Sequence, residues 1–250
     1  MATRRRENGE FCWFNMLTPE PERAREFFRG LFGWTCLDGG MGYTAQVEGR
    51  GVGGLFDLEG PSTPKGTPPL IGLMVKVESA DAAAQRVRAL GGKARPPFDV
   101  GGAGRMSVCH DPNGAEFDVW EPKGLQGTDV DANATGAPTW FETMTSDVER
   151  AANFYSALFG WKVDSRASDY RTFALGGRLV GGAKQSSREA PDSRTHWATY
   201  FAVRDAGKTA RRAIGLGGEV FAPVTAVTGI RRCGIRSPQG VPFHVMQRGG

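Results

Sequence analysis

With 250 residues, 40% hydrophobic and 23% charged, the chain is long enough for two compact domains of ordinary globular composition. Its net charge of +4 at pH 7 is small and dispersed, which argues against nucleic acid as a partner. No apolar run approaches a membrane span and the N-terminus carries no apolar stretch for secretion, so a cytoplasmic protein with no membrane partner is expected.

Arg4-Arg5-Arg6 reads as a solvated tail. The first unit then runs over 11–60. It begins with a strand at Trp13-Phe14, followed by Thr18, Glu22-Arg23-Ala24, Phe27 and Leu31-Phe32-Gly33-Trp34. Ala24, Phe27, Phe28, Leu31 and Phe32 share one helical face, Pro19 and Pro21 suit the helix entrance, and Gly33 suits a left-handed end. After the joining stretch Glu59 to Pro69, a second unit spans 69–122, with Val77, Leu90-Gly91-Gly92, Pro97, the tight turn Asp111-Pro112-Asn113-Gly114, and Phe117. Lys123 to Pro138 has no apolar periodicity and links the halves.

The string then returns. Trp140-Phe141, Thr145, Glu149-Arg150-Ala151, Phe154 and Leu158-Phe159-Gly160-Trp161 repeat the first unit at an offset of 127 (140 − 13). Ser146 with Glu149 reads as a capping box there. The third unit covers 137–186, Gln185 to Thr195 joins it onward, and the fourth covers 194–248. That last unit holds Val203, Leu216-Gly217-Gly218, Pro223, Ser237-Pro238-Gln239-Gly240 and Phe243, now at an offset of 126 (243 − 117). Each unit reads as strand, helix and three short strands, so a domain at 1–122, a linker at 123–136 and a second domain at 137–250 are expected. The cysteines Cys12, Cys36, Cys109 and Cys233 have no metal-type spacing and read as free thiols.

The βαβββ unit, the "LFGW" and "LGG" helix ends and the Asp/Ser-Pro-x-Gly turn resemble the vicinal oxygen chelate superfamily, which includes glyoxalase I, bleomycin-resistance proteins and extradiol dioxygenases. The likeness covers nearly the whole chain and is similar to a two-domain actinobacterial type, some of whose members occur with antibiotic-biosynthesis clusters. It implies an α+β fold in which four modules pair into two glyoxalase-like domains with curled mixed sheets. It also implies a divalent metal held by His, Gln or Glu on first strands and Glu on last strands. The first-strand positions fall on Trp13, Gly72, Trp140 and Ala198, none a metal ligand, and the last-strand positions on Asp118 and His244. The resemblance therefore implies a cleft without metal or other cofactor. The alternative is an Fe or Zn site built from His196, His244 and Glu142, in a metal-dependent lyase or dioxygenase. His110, just before a turn, reads as a turn-stabilising residue, duplicated by Arg236.

Trp13 and Asn15 in one half, and Trp140 and Glu142 in the other, alternate toward their clefts, with Met74 and Tyr200 on the partner strands. The tryptophans either offer a slot for a bulky aromatic ligand or fill the clefts as core. The second half carries Glu142, His196, Tyr200 and His244 where the first carries Asn15, Leu70, Met74 and Asp118. Expected ligand-binding residues are Trp13, Asn15, Met74, Asp118, Trp140 and His196. Glu142 reads as a base, with His244 or Tyr200 as the acid. The same groups read equally as a structural hydrogen-bond network. The leading expectation is a metal-free, small-molecule cleft protein of secondary metabolism; a non-catalytic drug-sequestering or scaffold protein is the other. Either a monomer or a homodimer suits it, since each half completes its own cleft.

Overall fold

The computed structural model describes residues 4–60, 63, 65–186, 195–227 and 229–249. Most of the joining segment expected at 185–195, and part of that at 59–69, lie outside the described residues. Each half builds one mixed sheet from its own two units. The first contains β1 (Phe11–Thr18), β2 (Thr35–Asp38), β3 (Tyr43–Val47), β4 (Arg50–Asp57), β5 (Leu70–Lys76), β6 (Lys93–Ala94), β7 (Phe98–Val100), β8 (Gly104–His110) and β9 (Glu116–Pro122). Its order is β2-β3-β4-β1-β5-β9-β8-β6, with β7 also paired to β8. The second contains β10 (Pro138–Thr145), β11 (Lys162–Ala167), β12 (Tyr170–Leu175), β13 (Arg178–Gln185), β14 (His196–Ala202), β15 (Glu219–Val227), β16 (Ile230–Arg236) and β17 (Pro242–Arg248). Its order, β11-β12-β13-β10-β14-β17-β16-β15, repeats the first. Units meet through antiparallel first strands, β1 with β5 and β10 with β14.

Helices α1 (Pro21–Phe32), α2 (Ala80–Ala89), α3 (Val148–Phe159) and α4 (Ala206–Gly215) each follow the first strand of a unit. The α+β expectation of four modules in two glyoxalase-like sheets holds. The second unit departs from it: its second strand, the one after the helix, is split into β6 and β7. Pro96 and Pro97 fall in the gap, and neither has an N–H to give a ladder.

The α1 residues named from periodicity are all buried, and Gly33 and Gly160 end their helices at φ 77° and 72°. The capping box at Ser146 is corrected: Asp147 is the N-cap, and its Oδ1 accepts the Arg150 N–H at 3.0 Å. The tail is corrected too. Arg4 holds the buried Glu10 carboxylate at 2.7 and 2.8 Å, and Arg6 Nη2 donates to Val130 O at 3.2 Å. Burial of Glu10 raises its pKa, but Arg4 and the Glu7 N–H outweigh that and hold it below the usual carboxylate range.

The helix-bearing faces of the two sheets share one core. On one side α1 reaches across to the second half, where Phe28 lies 5.2 Å from Phe243 and Phe32 lies 5.3 Å from Phe201, centroid to centroid. On the other, Phe117 of β9 meets Phe154, Tyr155 and Phe159 of α3 at 6.1, 5.5 and 6.0 Å. Between them Phe11 and Phe141, from the first strands, sit 4.3 Å apart. The repeated tryptophan of each "LFGW" closes the arrangement reciprocally. Trp34 Nε1 donates to Gly136 O at 2.9 Å, just ahead of β10, and Trp161 Nε1 donates to Gly9 O at 2.7 Å, just ahead of β1. Gly136 sits at φ 84°, and a Cβ there would lie 2.8 Å from the Trp34 indole nitrogen, so glycine is required.

This shared core predicts one cooperative unfolding transition for both halves. Trp34→Phe and Trp161→Phe each leave a buried carbonyl unmet and should cost about 1–3 kcal/mol. Urea unfolding followed by circular dichroism checks this; two separable transitions, with each variant moving only one, contradict it.

Candidate functional site: two clefts of opposite character

The clefts expected from the resemblance fall on the faces turned away from the common core, where two smaller side-chain clusters gather, and strand register fixes what lines them. In the first, Trp13 pairs with Met74 and Met74 with Asp118, while Asn15 lies opposite Gly72. In the second, Trp140 pairs with Tyr200 and Tyr200 with His244, while Glu142 lies opposite Ala198. Register thus brings the expected residues of each half into two matched rows, with His196 at the strand entrance next to Met144.

The first cleft is packed. Trp13, Met74, Met106, Trp120 and Cys12 form a small buried core, and Trp13 is only 9% exposed. Its ring lies over Gly51, where a Cβ would come within 2.7 Å. The linker lies over one side: Leu125 packs on the cluster, Leu125 O accepts the Trp120 indole N–H at 2.9 Å, and Thr128 N–H reaches Cys12 O at 2.8 Å. For Trp13 and Met74 the core-filling alternative describes the geometry. Asn15 Nδ2 lies 3.5 Å from Met74 Sδ. Asp118 is buried without a hydrogen bond among the described residues, and burial, with Glu116 adding to it, holds its pKa well above the usual range. Burial of this kind disfavours the charged form of a carboxyl.

The second cleft is polar at its floor. Glu142 is 1% exposed, and its Oε2 accepts the Tyr200 hydroxyl at 2.8 Å. Arg232 Nη1 stands 3.6 Å from the same oxygen. Oε1 of Glu142 has no hydrogen-bond partner, and neither has Nδ1 of His244. The Tyr170 hydroxyl lies beside Glu142 and Trp140. The His244 ring is held between Tyr200, stacked at 4.6 Å, and Phe221, edge-on at 5.4 Å. Trp140, Met144 and Ile230 supply the apolar wall around Ala198, Tyr200 and Met246. Trp140 and Met144 stay partly exposed, unlike Trp13 and Met74.

These surroundings set the protons. Burial, then the nearby His196 and Arg232, push His244 down to about 3, so its imidazole is neutral near pH 7. Burial, then the Glu142 charge, raise Tyr200 well above the usual phenol value, and the same two causes raise Tyr170. Burial lowers Arg232, but Tyr200, Glu142 and Tyr170 outweigh it and leave the guanidinium firmly charged. Of the acids expected from sequence, neutral His244 has no extra proton to give, and the Tyr200 proton is held by Glu142.

Among the described residues no group of three His, Cys, Asp or Glu side chains converges to hold a metal ion, so the set His196, His244 and Glu142 is not assembled. The oxygen of Glu142 that points to its neighbours already takes a hydroxyl and faces a guanidinium. His110 is a sheet residue at the turn, paired 3.3 Å from Glu116. Two surface hollows lie elsewhere: about 360 Å³ beside Trp34, Glu48 and Arg204, and about 600 Å³ beside Leu90, Asp147 and Asn153. Neither is lined by a residue with an unpartnered buried polar atom, which is why the second cleft, and not they, is the candidate.

Three lining residues were missed in the sequence. Arg232 duplicates Met106 (232 − 126), a change of polarity that the repeat displays once the strand is aligned. Phe221 crosses over Gly234, where a Cβ would lie 2.5 Å from its ring. At the offset of 127 Tyr170 falls on Tyr43, which hid it. The ladders shift the true offset to 128 there, since Thr44 pairs Gly54 as Thr172 pairs Gly182. Tyr43 instead packs against the main core, its hydroxyl 3.1 Å from Glu22.

Residues 11–119 match the Glyoxalase/Bleomycin resistance protein/Dioxygenase superfamily, and residues 140–246 match the glyoxalase-like domain. The chain belongs to this superfamily. It is 33% identical over 247 residues to CFP32 of Mycobacterium tuberculosis, covering 94% of this chain and 93% of that protein. It is 32% identical over 259 residues to the anthracycline biosynthesis protein DauV of Streptomyces sp. strain C5, covering 96% and 93%. The Mn(II)-bound glyoxalase from Novosphingobium aromaticivorans shares the fold, with a TM-score of 0.65 at 15% identity over 96% of this chain and 82% of that one. No helix among the described residues is long and apolar enough to cross a membrane.

A folded-state pKa of about 3 for His244 lies below its unfolded value, about 6.5. The unfolded chain therefore takes up the proton first, and stability present above pH 6.5 is lost as pH falls toward 3. His244→Gln should flatten this fall relative to the parent protein. Urea unfolding at pH 7, 6, 5 and 4 checks it; parallel curves for the two proteins contradict the neutral imidazole.

Proposed function

We propose that the second cleft binds a bulky aromatic small molecule bearing a hydroxyl, and that Glu142 serves as a metal-independent base for proton transfer on it. The observation that carries the reading is the buried Oε1 of Glu142, which has no partner inside an aromatic wall. An unmet carboxylate oxygen in a poorly solvated place costs about 1–3 kcal/mol or more, which a ligand hydroxyl recovers. Tyr200 and Arg232 hold the other oxygen, so Oε1 is oriented before any ligand arrives.

Trp140 supplies flat apolar area for stacking, at the mouth rather than the floor. Neutral His244, with its Nδ1 open, offers a ligand hydroxyl a hydrogen bond and stays uncharged. The first cleft, filled by its own side chains, serves the fold. The relationship to DauV supports the aromatic class, since that protein is named for anthracycline biosynthesis. If the cleft only sequesters its ligand, the same geometry binds it and no turnover follows.

The probe is 1-hydroxyanthraquinone in equilibrium dialysis. Trp140→Ala and Glu142→Gln should each weaken binding by about tenfold or more, whereas Trp13→Ala should lower stability with little change in affinity. Equal weakening by Trp13→Ala would place the ligand in the wrong cleft. Elemental analysis of protein purified without chelator should find no stoichiometric metal; one ion per chain ends the metal-independent reading.

A further inference from the structure

Arg232 has more hydrogen-bond donors than its surroundings use. It sits on β16 opposite Met246, at the place Met106 holds in the packed cleft. A guanidinium carries five donors, and with its side chain 27% exposed Arg232 has some that its protein neighbours do not take. Its contact to Glu142 Oε2, at 3.6 Å, is an ion pair too long for a hydrogen bond, and the Tyr200 and Tyr170 hydroxyls also lie near it, Tyr200 as a hydrogen-bond partner. On the same cleft floor, Glu142 Oε1 has no hydrogen-bond partner, although the Tyr170 hydroxyl lies beside the carboxylate. The cleft therefore presents surplus donors beside a surplus acceptor.

We propose that Arg232 binds a carbonyl or phenolate oxygen of the ligand while Glu142 Oε1 takes a hydroxyl next to it, so that the cleft selects aromatic compounds carrying adjacent hydroxyl and carbonyl groups. The proposal rests on the aromatic-ligand reading of this cleft and narrows it. A lone phenol satisfies Glu142 and leaves Arg232 unmet. A quinone without a hydroxyl satisfies Arg232 and sets its lone pairs against the Glu142 carboxylate. A small inorganic anion meets Arg232 but is repelled by the same carboxylate and gains nothing from Trp140, Met144 and Ile230. Arg232 in this role is a specificity-determining residue: it sets which ring oxygens are admitted.

The test compares three probes of one size, 1-hydroxyanthraquinone, 9,10-anthraquinone and anthracene, by equilibrium dialysis. The parent protein should prefer 1-hydroxyanthraquinone by about tenfold or more over both others, the scale of one charge-assisted hydrogen bond. Arg232→Met, which installs the residue its duplicate already carries, should erase that preference. Arg232→Lys should keep part of the preference and, through the retained charge, guards against a folding defect in the Met variant. If the parent binds all three alike, or Arg232→Met keeps the preference, the proposal is overturned while the aromatic-cleft reading stands. If the parent binds none of them, both fall together.

Discussion

Two indole N–H groups tie each half of the molecule to the start of the other. Trp34 reaches Gly136 O and Trp161 reaches Gly9 O, each across the boundary between the sheets. Around them the aromatic residues of α1 pack on Phe201 and Phe243, and those of α3 pack on Phe117. The helices of α2 and α4 add the same exchange in polar form: Arg86 donates to Ala157 O at the end of α3, and Arg212 donates to Gly30 O near the end of α1. Each half thus completes its own sheet but not its own core. The apolar area that stabilises folding is pooled between them, and burial of that area is the dominant favourable term.

Pooling the core on one pair of faces leaves the other pair free of that duty. Stability then constrains the clefts less, and the duplicates diverge there while they stay alike at "LFGW". One cleft keeps Trp13, Met74, Met106 and Trp120 and closes on itself under Leu125. The other replaces Asn15 by Glu142, Met74 by Tyr200, Met106 by Arg232 and Asp118 by His244, and keeps its tryptophan partly exposed. Buried polar groups that are fully satisfied stabilise a fold, but two in the second cleft are not satisfied, Glu142 Oε1 and His244 Nδ1. A fold tolerates such costs where binding recovers them.

The order of elements was legible because the repeat doubles each signal: the apolar helix face, the left-handed glycine at its end and the turn before the last strand all occur twice. Alternation along β1 and β10 put Trp13, Asn15, Trp140 and Glu142 on one face of each sheet, and the packing has them away from the shared core. Other features depend on contacts distant in sequence. Leu125 lies in a stretch without periodicity, and only the folded chain shows it packing onto Met106 and Trp120. Arg6 looks like a loose basic tail until Val130, far along the chain, takes its N–H. Arg232 was visible as a mismatch with Met106, yet its meaning required knowing that β16 runs beside β17 with Arg232 opposite Met246. Tyr170 was masked by a one-residue shift in the strand ladders, and a shift of one turns a side chain to the opposite face.

The claim on which these readings converge is that one cleft works and its duplicate is filled. A crystal structure of the protein with 1-hydroxyanthraquinone addresses it most directly. The account predicts a single ring system per chain, stacked on Trp140 with its oxygens toward Arg232 and Glu142, and unaltered packing of Leu125 over Trp120. A ligand that displaces Leu125 to enter beside Trp13, or a cation coordinated between His196 and His244, contradicts it.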